Sequence, residues 1–217
     1  MAGPLSSTSL SPVRTFHPRR SRMGAQKRAA LAELLPRYEW VPGRDPLPLG
    51  DVMMEIGFGM GDATLVQAAA HPAITWLAVD IHTPGVAHLC RELHKQGLTN
   101  VRICVDDALD VLDAHIPDDS LSGVQVFFPD PWPKVRHRIR RLIQPMFLDL
   151  VAPRMRVDAL LHVATDWDDY AVQMATVIGA HHAFEVVAAP PRPQTKYEAM
   201  GIAAGRTITD VAARRRR

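Results

Sequence analysis

Hydrophobic residues along this chain collect in short continuous runs, and between the runs they recur at helical spacing. The runs at Asp51 to Ile56, Thr75 to Ile81, Val101 to Asp107, Ser122 to Asp130 and Asp158 to Asp166 have the length and residue types of buried strands. Helical periodicity fills Asp62 to Ala70, and also Pro84 to Gly97, where the glycine stops it. Ahead of the first strand, Ala25 to Tyr38 holds good helix formers that Pro36 is expected to end, and a Pro/Gly loop from Val41 to Gly50 follows. This alternation predicts an α/β fold of three layers, a mostly parallel sheet between helices, in which ligands sit beyond the carboxyl ends of the strands. Glu55, Asp80, Asp107, Asp130 and Asp166 each follow a hydrophobic strand at that predicted edge.

Length and composition narrow the picture. With 217 residues and 47% hydrophobic content the chain suits one domain with a sizeable core. Residues 1–25, rich in Ser, Pro, Gly and Arg and without periodicity, read as a disordered basic arm; 26–210 read as the single domain, and 211–217 as a basic tail. The net charge of +2 hides an uneven distribution. Arg14, Arg19, Arg20, Arg22, Lys27 and Arg28 form one basic segment, Lys134, Arg136, Arg138, Arg140 and Arg141 a second, and Arg214 to Arg217 a third. Together they suggest a polyanionic partner. Cys90 and Cys104 lack metal-ligand spacing and are too few for a disulfide framework, which points to core residues, no metal and a reducing cytoplasmic setting. The apolar stretches are too short for a membrane span, and the N-terminus has no apolar signal core. His71, His88, His162, His181 and His182 show neither zinc-site nor triad spacing.

Candidate chemistry begins with MMEIGFGMGD, which sets Gly57, Gly59 and Gly61 between the first strand and a helix. Two readings compete. A dinucleotide fingerprint needs a third glycine where this chain has Asp62. A site for S-adenosylmethionine (AdoMet), whose sulfonium and amino groups are cationic, explains the nearby acids better. Asp80 suits a ribose diol in both readings. Asp107 is either an acceptor for the adenine amino group or the N-cap of the helix ALDVL. The stretch FFPDPWPK then confines Asp130 between Pro129 and Pro131, which restricts its backbone and aims its carboxylate. Trp132 and Trp167 follow site acids and either wall a pocket or pack in the core.

Taken in order, MEIGFGMGD, VDIHTPGV, VQVFFPDPWPKVRHRIRRLIQ, HVATDW and RPQTKYEAMG, with the leader VRTFHPRRSRMGAQKRAAL ending in Gln26, resemble the bacterial tRNA (guanine-N7-)-methyltransferases. The resemblance covers Val13 to Arg206 and implies a class I, Rossmann-like methyltransferase with AdoMet as methyl donor and tRNA as partner. It implies AdoMet contacts by Glu55, Asp80, Asp107 and Asp130 beside the glycine turn, with Asp130 catalytic, and substrate contacts by Lys134, Asp166, Thr195, Lys196, Tyr197 and Glu198. The implied target is the variable-loop guanine at position 46 of tRNA, with no obligatory protein partner. Departures are Asp80 for a usual glutamate, Tyr197 for a phenylalanine, Ile139 for a lysine, and no paired glycines before the fifth strand. The alternatives are methylation of another RNA or base, a non-catalytic tRNA-binding protein, and a nicotinamide oxidoreductase on the same sheet.

Overall fold

The computed structural model describes Thr15 and residues 24–217; the remainder of the expected basic arm lies outside the described residues. In chain order the elements are α1 (Ala25–Tyr38), β1 (Val52–Ile56), α2 (Asp62–Ala70), β2 (Thr75–Val79), α3 (Thr83–Gln96), β3 (Val101–Cys104) and α4 (Ala108–His115). They continue with β4 (Leu121–Phe127), a 3₁₀ turn (Val135–Arg140), α5 (Pro145–Arg154), β5 (Met155–Thr165), α6 (Asp168–Ala180), β6 (Phe184–Val187), α7 (Lys196–Ala203) and β7 (Thr209–Arg215).

The seven strands form one sheet in the order β3-β2-β1-β4-β5-β7-β6. Strands β1 to β5 pair in parallel, whereas β7 runs antiparallel to both β5 and β6. Alternation within each strand supplies two apolar faces. On β2, Leu77 and Val79 join a cluster with Val111 of α4, Leu148 of α5 and Met174 of α6. Trp76 and Ala78 face the other way, towards Leu34 of α1, Leu65 of α2 and Leu89 of α3. Helices thus cover both sides of the sheet, and the strand order reverses between β1 and β4, where open α/β sheets leave a crevice.

Three sequence expectations change. Helix α1 runs through Pro36 to Tyr38, because Leu34 and Tyr38 are both buried and their packing outweighs the hydrogen bond a proline cannot donate. Residues 211–215, read as tail, are part of β7; Val211 to Ala213 are buried, so the strand is held by its apolar half. Arg214 and Arg215 donate to the carbonyls of Asp158 and Ala152, at the end of the sheet opposite the acid-lined edge. The fifth strand begins at Met155, ahead of the expected Asp158, and Asp158 lies inside it at φ 66°, a left-handed position that aspartate tolerates, beside a register shift against β4. Among the described residues no helix is long and apolar enough to cross a membrane.

Candidate active site

The turn after β1 depends on backbone conformations that side-chain-bearing residues rarely adopt. Gly57 and Gly59 have φ of 74° and 59°, and a Cβ on Gly59 would stand 3.1 Å from the Tyr197 ring. The turn lets the Gly59 N–H donate to Asp80 Oδ2 at 2.8 Å, while Asp80 Oδ1 accepts from the His82 N–H at 2.8 Å. Burial raises the Asp80 carboxyl above its ordinary range, and those two amide bonds pull against it. Gly85 of α3 also belongs to this construction, although sequence reading gave it no role. A Cβ there would overlap the Gly59 carbonyl oxygen, so its absence lets α3 press against the loop.

A cavity of about 200 Å³ opens over the carboxyl ends of β1, β2, β3 and β4. Of the expected site residues it brings together Gly57, Gly59, Asp80, Asp107, Asp130 and Tyr197. Ile56, Ile81, Leu109, Val126 and Leu142 supply apolar wall. Asp107 caps α4, its Oδ1 accepting from the Leu109 N–H at 3.0 Å, and it lines the cavity as well.

Glu55 and Gly61 do not line the cavity. Gly61 is the N-cap of α2. Glu55 is buried, and its Oε2 accepts from Thr64 Oγ1 at 2.5 Å. Burial pushes its carboxyl up to about 7, against the opposing pull of Thr64 and Gln125.

Asp130 stands half-buried at the cavity wall. Trp132 is buried, and its Nε1 donates to the Thr15 carbonyl at 3.0 Å, so Thr15 of the arm reaches the cavity beside the proline cage. The Arg140 guanidinium lies 5.0 Å over the Trp132 ring, and that of Arg206 5.5 Å from the Trp167 ring.

The remaining substrate candidates do not line the cavity. Lys134 is exposed and precedes the 3₁₀ turn. Asp166 pairs with Arg206 at 2.7 Å. Thr195 caps α7 by accepting from the Glu198 N–H at 3.2 Å, and the exposed Lys196 donates its backbone N–H to Asp62 Oδ2 at 3.2 Å. Glu198 accepts from Arg192 at 2.5 Å. Arg192 was not singled out from the sequence beyond its place in RPQTKYE. Its side chain is buried, pairs with Asp210 at 2.6 Å, and lies 5.1 Å and 5.2 Å from the rings of Phe127 and Phe128.

The second basic segment needs a correction. Its residues were expected to help bind a polyanionic partner, yet the Arg141 side chain is only 1% exposed and is bound to Asp169, Gln173 and the Pro131 carbonyl. Arg138 is exposed but also pairs with Asp169, at 2.6 Å. Lys134 and Arg136 face solvent, next to exposed Ile139.

A glycine turn closing on the acid after β2, at the switch point of a doubly wound sheet, is a Rossmann-like site, and the matching family makes its class that of the methyltransferases. The model of a family described as putative methyltransferase matches residues 50–211. Solved structures of the same fold include the 16S rRNA methyltransferase KamB, with a TM-score of 0.58 and 14% identity, covering 87% of this chain and 94% of that one. Another is the 16S rRNA (adenine(1408)-N(1))-methyltransferase of Catenulisporales acidiphilia, solved with its cosubstrate SAM, with a TM-score of 0.52 and 16% identity over 88% of this chain and 91% of that one.

Sequence relatives are far nearer. The chain is 45% identical over 218 residues to the tRNA (guanine-N(7)-)-methyltransferase of Streptomyces avermitilis, covering 94% of this chain and 75% of the relative. It is 42% identical over 225 residues to that of Alkalilimnicola ehrlichii, covering 96% and 95%. The chain belongs to the bacterial tRNA (guanine-N(7)-)-methyltransferase family.

Proposed function

We propose that this chain methylates N7 of a guanine in tRNA, the variable-loop guanine at position 46, in the cytoplasm and without an obligatory protein partner. The observation that carries the reading is the cavity in which Asp80, Asp107 and Asp130 converge around the glycine turn, beside exposed Lys134 and Arg136.

The residues present fit AdoMet. Each Asp80 oxygen retains acceptor capacity for a ribose diol after taking its amide bond, Asp107 offers an acceptor for the adenine amino group, and Ile81 and Leu109 supply apolar wall for the ring. When bound, AdoMet supplies an electrophilic methyl carbon on a sulfonium. Guanine N7 has an in-plane lone pair and needs no deprotonation, so no residue has to act as general base. The protein therefore contributes mainly alignment and electrostatics. Asp130 and Asp166 accept hydrogen bonds from the N1–H and amino edge of guanine and stabilise the ring as it becomes cationic; Asp166 exchanges Arg206 for the base. Lys134 and Arg136 meet phosphates, while Lys196 and Glu198 fix the base or its ribose.

The test is Asp130→Asn, assayed at saturating donor and tRNA. Loss of turnover with donor binding kept supports the role; parental turnover would refute it.

A further inference from the structure

The loop that carries Asp130 has an unusual backbone. Phe128 and Trp132 both adopt positive φ, 54° and 44°, on either side of that acid. Bulky residues rarely adopt such conformations, which persist only where the surroundings over-determine them. The Phe128 N–H donates to the Ala164 carbonyl at 2.8 Å, which fixes the near end of the loop to β5.

Arg141 fixes the far end. Its Nε donates at 2.9 Å to the carbonyl of Pro131, the residue after Asp130. The rest of the guanidinium turns away from the loop: Nη1 donates to Gln173 Oε1 at 2.8 Å, and Nη2 to Asp169 Oδ1 and Oδ2 at 2.9 and 2.8 Å. Its face lies 4.7 Å over the Tyr170 ring. Asp169, Tyr170 and Gln173 all belong to α6, which begins two residues after Asp166. The guanidinium therefore ties the Asp130 loop to the helix that follows the second site acid, using a planar fork that an ammonium does not possess.

We infer that Arg141 is a positioning residue for methyl transfer, holding the Pro131 peptide so that Asp130 keeps its place; the inference rests on the role of Asp130 proposed above. A basic residue in a tRNA-binding segment is thus assigned to the geometry of the reaction instead of to phosphate.

Arg141→Lys keeps a positive charge beside Asp169 but cannot also reach the Pro131 carbonyl and Gln173. The expected result is a fall in kcat on the order of 10²-fold, with KM for tRNA and Kd for AdoMet within about threefold of the parent. Combining Arg141→Lys with Asp130→Asn separates positioning from mere support of the fold. If Arg141 acts through Asp130, adding Arg141→Lys to the Asp130→Asn enzyme costs no more than about twofold further. Gln173→Leu, which removes one anchor of the guanidinium from the half-buried side of α6, carries the same cycle at smaller amplitude should the lysine variant fail to fold. Parental kcat in Arg141→Lys, or losses that multiply in the double variant, would overturn the inference while leaving the Asp130 reading intact. Parental kcat in Asp130→Asn alone would overturn that reading, and this inference with it.

Discussion

Replacing Glu55 by glutamine should make the unliganded protein more resistant to unfolding at alkaline pH and leave it little changed near pH 5. The carboxyl is buried against Thr64 and held at about 7, where its ordinary value is 4.5. Between those values the folded chain keeps a proton that the unfolded chain has released, so the native state binds more protons and its stability falls as pH rises. The stabilising contribution is complete below the ordinary value, declines through pH 7 and is gone above it. At 1.36 kcal/mol for each tenfold difference in proton affinity, the full change is about 3 kcal/mol, an upper figure for a group with polar neighbours. Glutamine has the same shape, keeps an acceptor for Thr64 Oγ1 and never ionises. Urea unfolding of both proteins from pH 5 to pH 8.5, with m-values compared, reads the difference directly. The variant should gain about 1–3 kcal/mol on the parent across that range. A parent–variant difference independent of pH, or one in which the variant loses ground as pH rises, would refute the assignment of Glu55 as a buried carboxyl that prefers its proton.

Arg192→Leu should cost about 3 kcal/mol at neutral pH, because Asp210 and Glu198 lose their shared cation. Burial raises the Asp210 carboxyl, but bonds from His162 and Arg192 outweigh it and hold the group below its ordinary value. It therefore stabilises the fold at neutral pH and ceases to as pH falls, and the variant should show a shallower loss of stability in acid. Gly85→Ala should abolish AdoMet binding in a titration calorimeter and lower the unfolding midpoint, since its Cβ would displace the Gly59 carbonyl; unaltered binding would show that the loop shape does not matter to the donor. Arg136→Ala should weaken tRNA binding and reduce the slope of log K against log salt by about 1, while AdoMet binding stays at the parental value.

Much of this arrangement was legible because single residues carried it. The five parallel strands showed as hydrophobic runs, and the acids at their ends were visible as interruptions of those runs. Strands β6 and β7 were hidden: β6 is a four-residue edge strand in which only Phe184 is buried, and β7 ends in arginines that read as a tail although Val211 to Ala213 bury it. Charge misled in the same way at Arg141. A guanidinium in a basic run looks like a phosphate contact, and only the approach of α6 turns it inward. Glu55 is the converse case, a motif acid expected to contact AdoMet that the fold buries outside the cavity lining. Sequence reports residue type and order well; which side of a loop faces solvent depends on a helix thirty residues away.

The most direct test is transfer of labelled methyl from AdoMet to an unmodified tRNA transcript with a variable-loop guanine, followed by chain cleavage selective for N7-methylguanine. Incorporation with cleavage at position 46 is the predicted result. Label without cleavage, or no label from a chain that binds both AdoMet and the transcript, would contradict it.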